Sequence, residues 1–175
     1  SGNWSTGGQC EAKYDIVSGY DGPALITIEA TDLAGNLFVY SLPNSLAPSG
    51  GERLIADTTR PVFSGIQSEI GGNPEFAGFA QEGAEVRIRF NTSENLKFNP
   101  DVRINGNPAN YDSLISNEYT YKYIVSGNDS GGNAVITVSG LDIALNEGTA
   151  ETSSAAESFV IDRENPTMII ALPES

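Results

Sequence analysis

The sequence predicts an all-β protein built as a β-sandwich, one complete domain preceded by part of another. Three observations carry that reading. No segment sustains a 3.6-residue apolar period, and short alternating runs recur roughly every 8–15 residues. One stretch is also written twice. Tyr14–Asn36 (YDIVSGYDGPALITIEATDLAGN) returns as Tyr123–Asn146 (YIVSGNDSGGNAVITVSGLDIALN). Ile16 matches Ile124 at an offset of 108, and Asp32 matches Asp142 at 110, so the second turn is two residues longer. A third match sets Ile55–Pro61 against Val160–Pro166 at an offset of 105. A period of about 105–110 residues is too long for a solenoid unit and is the size of one small β domain.

Taken in order, residues 1–12 form a Gly/Ser-rich start, and Lys13–Ser18 alternates enough to be a strand. Tyr20-Asp21-Gly22-Pro23 is a turn, since Gly and Pro supply its backbone angles. Ala24–Thr31 is a strand in which Ile26 and Ile28 alternate with Thr27 and Glu29. Asp32–Asn36 turns the chain into a strand at Leu37–Ser41. The loop over residues 42–51 leads to a short strand, Glu52–Asp57, and the Thr58-Thr59-Arg60-Pro61 junction.

A full domain then unfolds. Val62–Gln67 opens it, Gly71–Gly83 is loop, and Ala84–Asn91 places Val86, Ile88 and Phe90 opposite Glu85, Arg87 and Arg89. Asp101–Asn105 points Val102 and Ile104 inward and ends in Asn105-Gly106-Asn107-Pro108. Glu118–Val125 carries three tyrosines on one face, Asn133–Ser139 is the repeated strand, and Ser158–Asp162 closes the domain.

Composition narrows the function. The 175 residues include nine basic and 23 acidic ones, a net charge of −14. That balance disfavours nucleic acid and anionic membrane as partners, since little here could neutralise phosphates. No apolar run approaches the roughly 18 residues that span a bilayer, so direct membrane insertion is not expected. The chain has no His and one Cys, Cys10. An internal disulfide, a thiolate zinc site and a Ser-His triad all fall away. Glu82, Glu85 and Glu94 include no pair that alternation would aim into one cleft, so no enzyme is expected. Poverty in Cys beside abundant Gly, Asn, Ser and Thr fits exported bacterial β proteins. The start, Ser1-Gly2-Asn3-Trp4, lacks a secretion-signal pattern, so the chain reads as a mature or internal piece.

The order of motifs resembles a family. Residues 82–94 (EGAEVRIRFNTSE), 100–106 (PDVRING), Tyr119-Thr120-Tyr121, the Asp/Gly turn, Ile136-Thr137-Val138 and Phe159-Val160-Ile161-Asp162 follow one another up to Pro166. Ala30–Asn36 (ATDLAGN) and Asp57-Thr58-Thr59-Arg60-Pro61 match more sharply. Together they resemble the immunoglobulin-like repeats that occur in tandem in large bacterial surface proteins and adhesins. The resemblance implies an Ig-like β-sandwich and an extracellular or cell-surface location, with neighbouring Ig-like domains of the same or an identical chain as partners. It also implies a structural role as spacer, stalk or fibre segment. Leu145 departs from the pattern where the first copy has Gly35.

The register divides the chain into 1–58, the closing part of one sandwich, 59–165, a complete one, and 166–175, the opening strand of a following domain. Either the parent continues in both directions, or the partial domain is completed by another chain. In the second case Thr167, Met168, Ile169, Ile170 and Leu172 would be donated head to tail into its edge.

Two candidate sites follow. Asp32, Asn36, Asp57, Asp142, Asn146 and Asp162, with Glu164, offer oxygen ligands of the kind Ca²⁺ takes in extracellular modules. The competing reading is that Asp and Asn close turns there. Tyr119, Tyr121 and Tyr123 form a stripe able to stack on a cell-surface glycan, or else to serve as core. The acceptor pattern Asn-x-Ser/Thr at Asn3, Asn91 and Asn128 is what an Asn- and Ser-rich chain produces by chance.

Overall fold

The computed structural model describes residues 13–42, 55–71, 78–152 and 158–168. Among them every regular element is a β-strand, and no helix is long and apolar enough to cross a membrane. The chain divides into two units, 1–59 and 60–175.

Unit 1 contains β1 (Gly22–Pro23), β2 (Ile26–Thr31), β3 (Leu37–Leu42) and β4 (Ile55–Ala56). Antiparallel β2 and β3 place Ile28 opposite Tyr40 and Ala30 opposite Phe38. Gly22 pairs with Ala56 in a short β1–β4 ladder. Alternation puts Ile26, Ile28, Phe38 and Tyr40 on one face, yet they are 40%, 46%, 61% and 47% exposed. Lys13–Ser18, expected as a strand, is not one. Its repeat partner, Lys122–Ile124, is a strand because it pairs along its length with residues 85–87, and Lys122 also faces Asn110 on the other side. Residues 13–18 have no such neighbour among the described residues, and an alternating pattern without a ladder leaves its N–H and C=O groups to water.

Unit 2 holds the remaining strands: β5 (Phe63–Ile70), β6 (Phe79–Ala80), β7 (Glu85–Thr92), β8 (Asp101–Ile104), β9 (Asn107–Pro108) and β10 (Asn110–Ile115). It continues with β11 (Glu118–Ile124), β12 (Gly132–Asn133), β13 (Ile136–Leu141), β14 (Glu147–Thr152) and β15 (Val160–Ile161). One sheet runs β10-β11-β7-β5, a second β14-β13-β8-β9, and a small third β12-β15-β6. The inward residues of the two larger sheets merge into one core, the arrangement of a β-sandwich. Val86, Ile88 and Phe90 come from one side, Val102, Ile104, Ile136 and Val138 from the other, and none is more than 1% exposed. The outer face of the first sheet carries ion pairs, Arg89–Glu69 at 2.9 Å and Lys122–Asp112 at 2.6 Å. These half-exposed pairs favour solubility more than stability, since such pairs are worth about 0–1 kcal/mol. Asn105 and Gly106, both at positive φ, form the two-residue turn joining β8 to β9, as an Asn-Gly pair does best.

Two strands of the sandwich are absent from the alternation pattern. In β10 the register shifts between Tyr111 and Ser113, which breaks the period. In β14 (EGTAET) the inward residues are Gly148 and Ala150, too small to register as apolar. The trailing segment 162–168 forms no strand, and Thr167 and Met168 are exposed. Ile169, Ile170 and Leu172 lie outside the described residues.

Candidate functional site

The repeated stretch folds the same way twice. In unit 1 the Asp32 amide donates to the Asn36 carbonyl at 3.0 Å, and the Gly35 amide donates to the Asp32 carbonyl. Asp32 Oδ1 accepts from the Ala34 and Asn36 amides, at 2.9 and 2.8 Å, and Oδ2 accepts from Asn36 Nδ2 at 2.8 Å. In unit 2 Asp142 Oδ1 accepts from the Asn146 amide and Oδ2 from Asn146 Nδ2, both at 2.8 Å. The Asp142 and Leu145 amides repeat the two backbone bonds. The spacing Asp-x-x-x-Asn is thus a turn in which the Asn side chain and amide hold both carboxylate oxygens. Gly35 and Leu145 both sit at positive φ, 88° and 76°. The strand register coincides as well: Ile26 faces Leu42 as Ile136 faces Thr152, and Ala30 faces Phe38 as Gly140 faces Gly148, each 110 residues on.

Burial separates the two copies. Asp32 is exposed, and its bonds to the Asn36 side chain and amide hold its carboxyl below the usual range. Asp142 is completely buried, so its charge depends on Asn146 and its other neighbours. Neither Asp32 nor Asp162 belongs to a cluster of three or more metal-type side chains among the described residues, whereas calcium takes about six to eight oxygens. Within unit 2 a Glu94 carboxylate oxygen lies within 4.8 Å of one on Asp142, a proximity that sequence alone does not disclose.

The junction aspartates do parallel work. Asp57 Oδ1 accepts from the Thr59 amide at 3.1 Å, and Asp162 Oδ1 from the Glu164 amide at 3.0 Å. Each makes a short Asx turn directly after β4 or β15.

The tyrosine stripe lies inside the sandwich. Tyr119, Tyr121 and Tyr123 are 6%, 2% and 6% exposed, so no ring face is open to a sugar. Phe90 stacks against Tyr119 and Tyr121 at 5.5 and 5.9 Å, and Tyr111 meets Tyr121 edge-on at 5.7 Å. The alternation that lines the rings up also points them inward, because their strand lies between β10 and β7 over the opposite sheet. Their hydroxyls are satisfied within the protein. Tyr121 donates to the Pro100 carbonyl, and Tyr123 donates to the Asp129 carboxylate. Burial raises both phenols, Tyr121 far above its usual value; Tyr123, also facing Asp129, is pushed up to about 12.

Two residues absent from the sequence candidates organise the turns before β1 and β12. Asp21 accepts from the Thr58 amide and from the hydroxyls of Thr58 and Thr59. Its counterpart Asp129, buried, accepts from Tyr123, the Ser126 amide and Asn107 Nδ2. The signal was present: Ser18-Gly19-x-Asp21 reappears as Ser126-Gly127-x-Asp129.

No family model matches the chain, and no curated protein or solved structure matches it.

Proposed function

We propose that the chain is a structural element of a tandem Ig-like array, a spacer or stalk segment of an exported surface protein. One observation carries this reading. Two units reproduce the same hairpin, the same register and the same Asp–Asn turn 110 residues apart, and the same short ladder follows, Gly22–Ala56 and Gly132–Ile161. Repetition of one module along the chain is what a spacer requires.

The strand order of unit 2 supports the Ig-like assignment. Naming β5, β7, β8, β10, β11, β13 and β14 as A to G gives D-E-B-A in one sheet and G-F-C, with the two-residue β9 at its edge beside C, in the other, the order of the constant-type arrangement. On the same lettering, β2 and β3 of unit 1 take the places of F and G.

Pulling the full chain by its ends in a force spectrometer tests the mechanical role. A spacer sandwich gives a discrete unfolding peak, with a contour gain of about 3.5 Å per residue released from unit 2. Featureless extension at low force overturns the reading. Saturable binding on a glycan array would favour an adhesive module instead.

A second reading, head-to-tail assembly, is favoured by the exposed apolar residues of β2 and β3. Light scattering separates the two, because a monodisperse monomer that keeps its fold refutes assembly.

A further inference from the structure

We infer that in both units the chain leaving the last short strand is latched to the turn before the first strand of its ladder, and that this latch bears load. The inference rests on the spacer reading above. Its structural basis is that one connection is built twice with different chemistry.

In unit 1 the exit is Asp57–Thr59. Asp21 takes the Thr58 amide, the Thr58 hydroxyl at 2.8 Å and the Thr59 hydroxyl at 2.8 Å. Thr58 Oγ1 in turn accepts from the Gly19 amide at 2.9 Å. In unit 2 the residue 105 positions after Thr58 is Arg163. Its guanidinium Nη1 donates to the carbonyl oxygen of Asp129 at 3.0 Å. Asp129 is the counterpart of Asp21. It is itself anchored by Tyr123, Asn107 and the Ser126 amide at 2.7–2.9 Å. Positions 58 and 163 therefore tie the exit to positions 21 and 129. A hydroxyl and carboxylate do this in one unit, a guanidinium and backbone carbonyl in the other.

The mechanical need is visible in the strands. β4 and β15 have two residues each. Tension on the exit would peel so short a ladder end-on, breaking its bonds one after another. A latch placed beyond the strand makes several bonds share the load, four of them in unit 1. The Asx turns at Asp57 and Asp162 set the exit direction, so that positions 58 and 163 face the turn.

Amide hydrogen exchange by NMR on the full chain tests the latch bond by bond. Asp21→Ala is expected to speed exchange of the Thr58 amide about tenfold, the scale of one lost hydrogen bond. Thr58→Val speeds exchange at Gly19, whereas Thr58→Ser restores it. Arg163→Met speeds exchange at Glu164 and leaves Ser126 protected. Amides of β2 and β3 keep their rates throughout. An unchanged Thr58 rate in Asp21→Ala overturns the latch. So does loss of protection across β2 and β3, which would show that Asp21 merely holds the hairpin. Glycan binding would overturn the spacer reading while leaving these rates as they are, so the two failures are told apart.

Discussion

Gly148 is the position where one methyl group should cost most. It is a buried inward residue of β14, and a Cβ there would overlap the Pro61 carbonyl oxygen and come within 2.9 Å of that residue's carbonyl carbon and Cγ. Pro61 is buried where the chain enters β5, so the obstacle is backbone and cannot swing aside. Overpacking of this kind costs about 1–3 kcal/mol. Replacing Gly by Ala returns about 0.4–1 kcal/mol through the unfolded chain, since Gly148 has no positive φ to lose. The expected net loss for Gly148→Ala is about 1–2 kcal/mol. For a domain of about 100 residues, each 1 kcal/mol lowers Tm by about 4–8 °C. Thermal unfolding followed by circular dichroism, with urea midpoints alongside, measures it. Gly127→Ala is the control, because its Cβ meets the far end of the flexible Glu82 side chain, which moves cheaply. If Gly148→Ala melts with or above the parent, the close approach of Pro61 does not shape the sandwich.

Asn146→Ala should destabilise unit 2 by about 1.5–3 kcal/mol, because it removes the Nδ2 donor from the buried Asp142 carboxylate while the backbone amide stays. Asn36→Ala removes the same side-chain bond at an exposed turn and should cost about 1 kcal/mol or less in the same urea assay. Asp21 and Asp32 both have depressed carboxyls, so their contribution is present above the ordinary carboxylate value and lost as pH falls through their lower folded values. Amide protection in unit 1, taken relative to the intrinsic exchange rate at each pH, should therefore fall on acidification below the usual carboxylate range, and Asp21→Asn should flatten that dependence. Tyr123 works in the opposite direction: its raised phenol stabilises fully below the ordinary tyrosine value, and that stability is lost as pH rises towards about 12. Alkaline titration of near-ultraviolet absorbance should show a step there that Tyr123→Phe removes.

What could be read from the sequence was local, and what could not was pairing. Val86, Ile88 and Phe90 alternate with charged residues, and the strand they predict is one of the two interior strands of its sheet, buried where expected. The same logic aligned the three tyrosines but could not say which side of their strand faces the core, because that depends on a sheet assembled from β8 and β13, distant in sequence. The Asp-x-x-x-Asn spacing suggested oxygen ligands, yet its geometry is complete within five residues as a turn. Phe38 and Gly148 occupy one position of the repeat and show where the local pattern stops. Gly148 must be small because Pro61 crosses it, whereas Phe38, 61% exposed, stacks beside Tyr40 at 6.5 Å. A unit closed as unit 2 is closed would have no room for that ring. The two hairpins therefore share a backbone plan but not a covering surface, and the substitution of Phe for Gly, read as a difference rather than as noise in the repeat, is the residue-level mark of it.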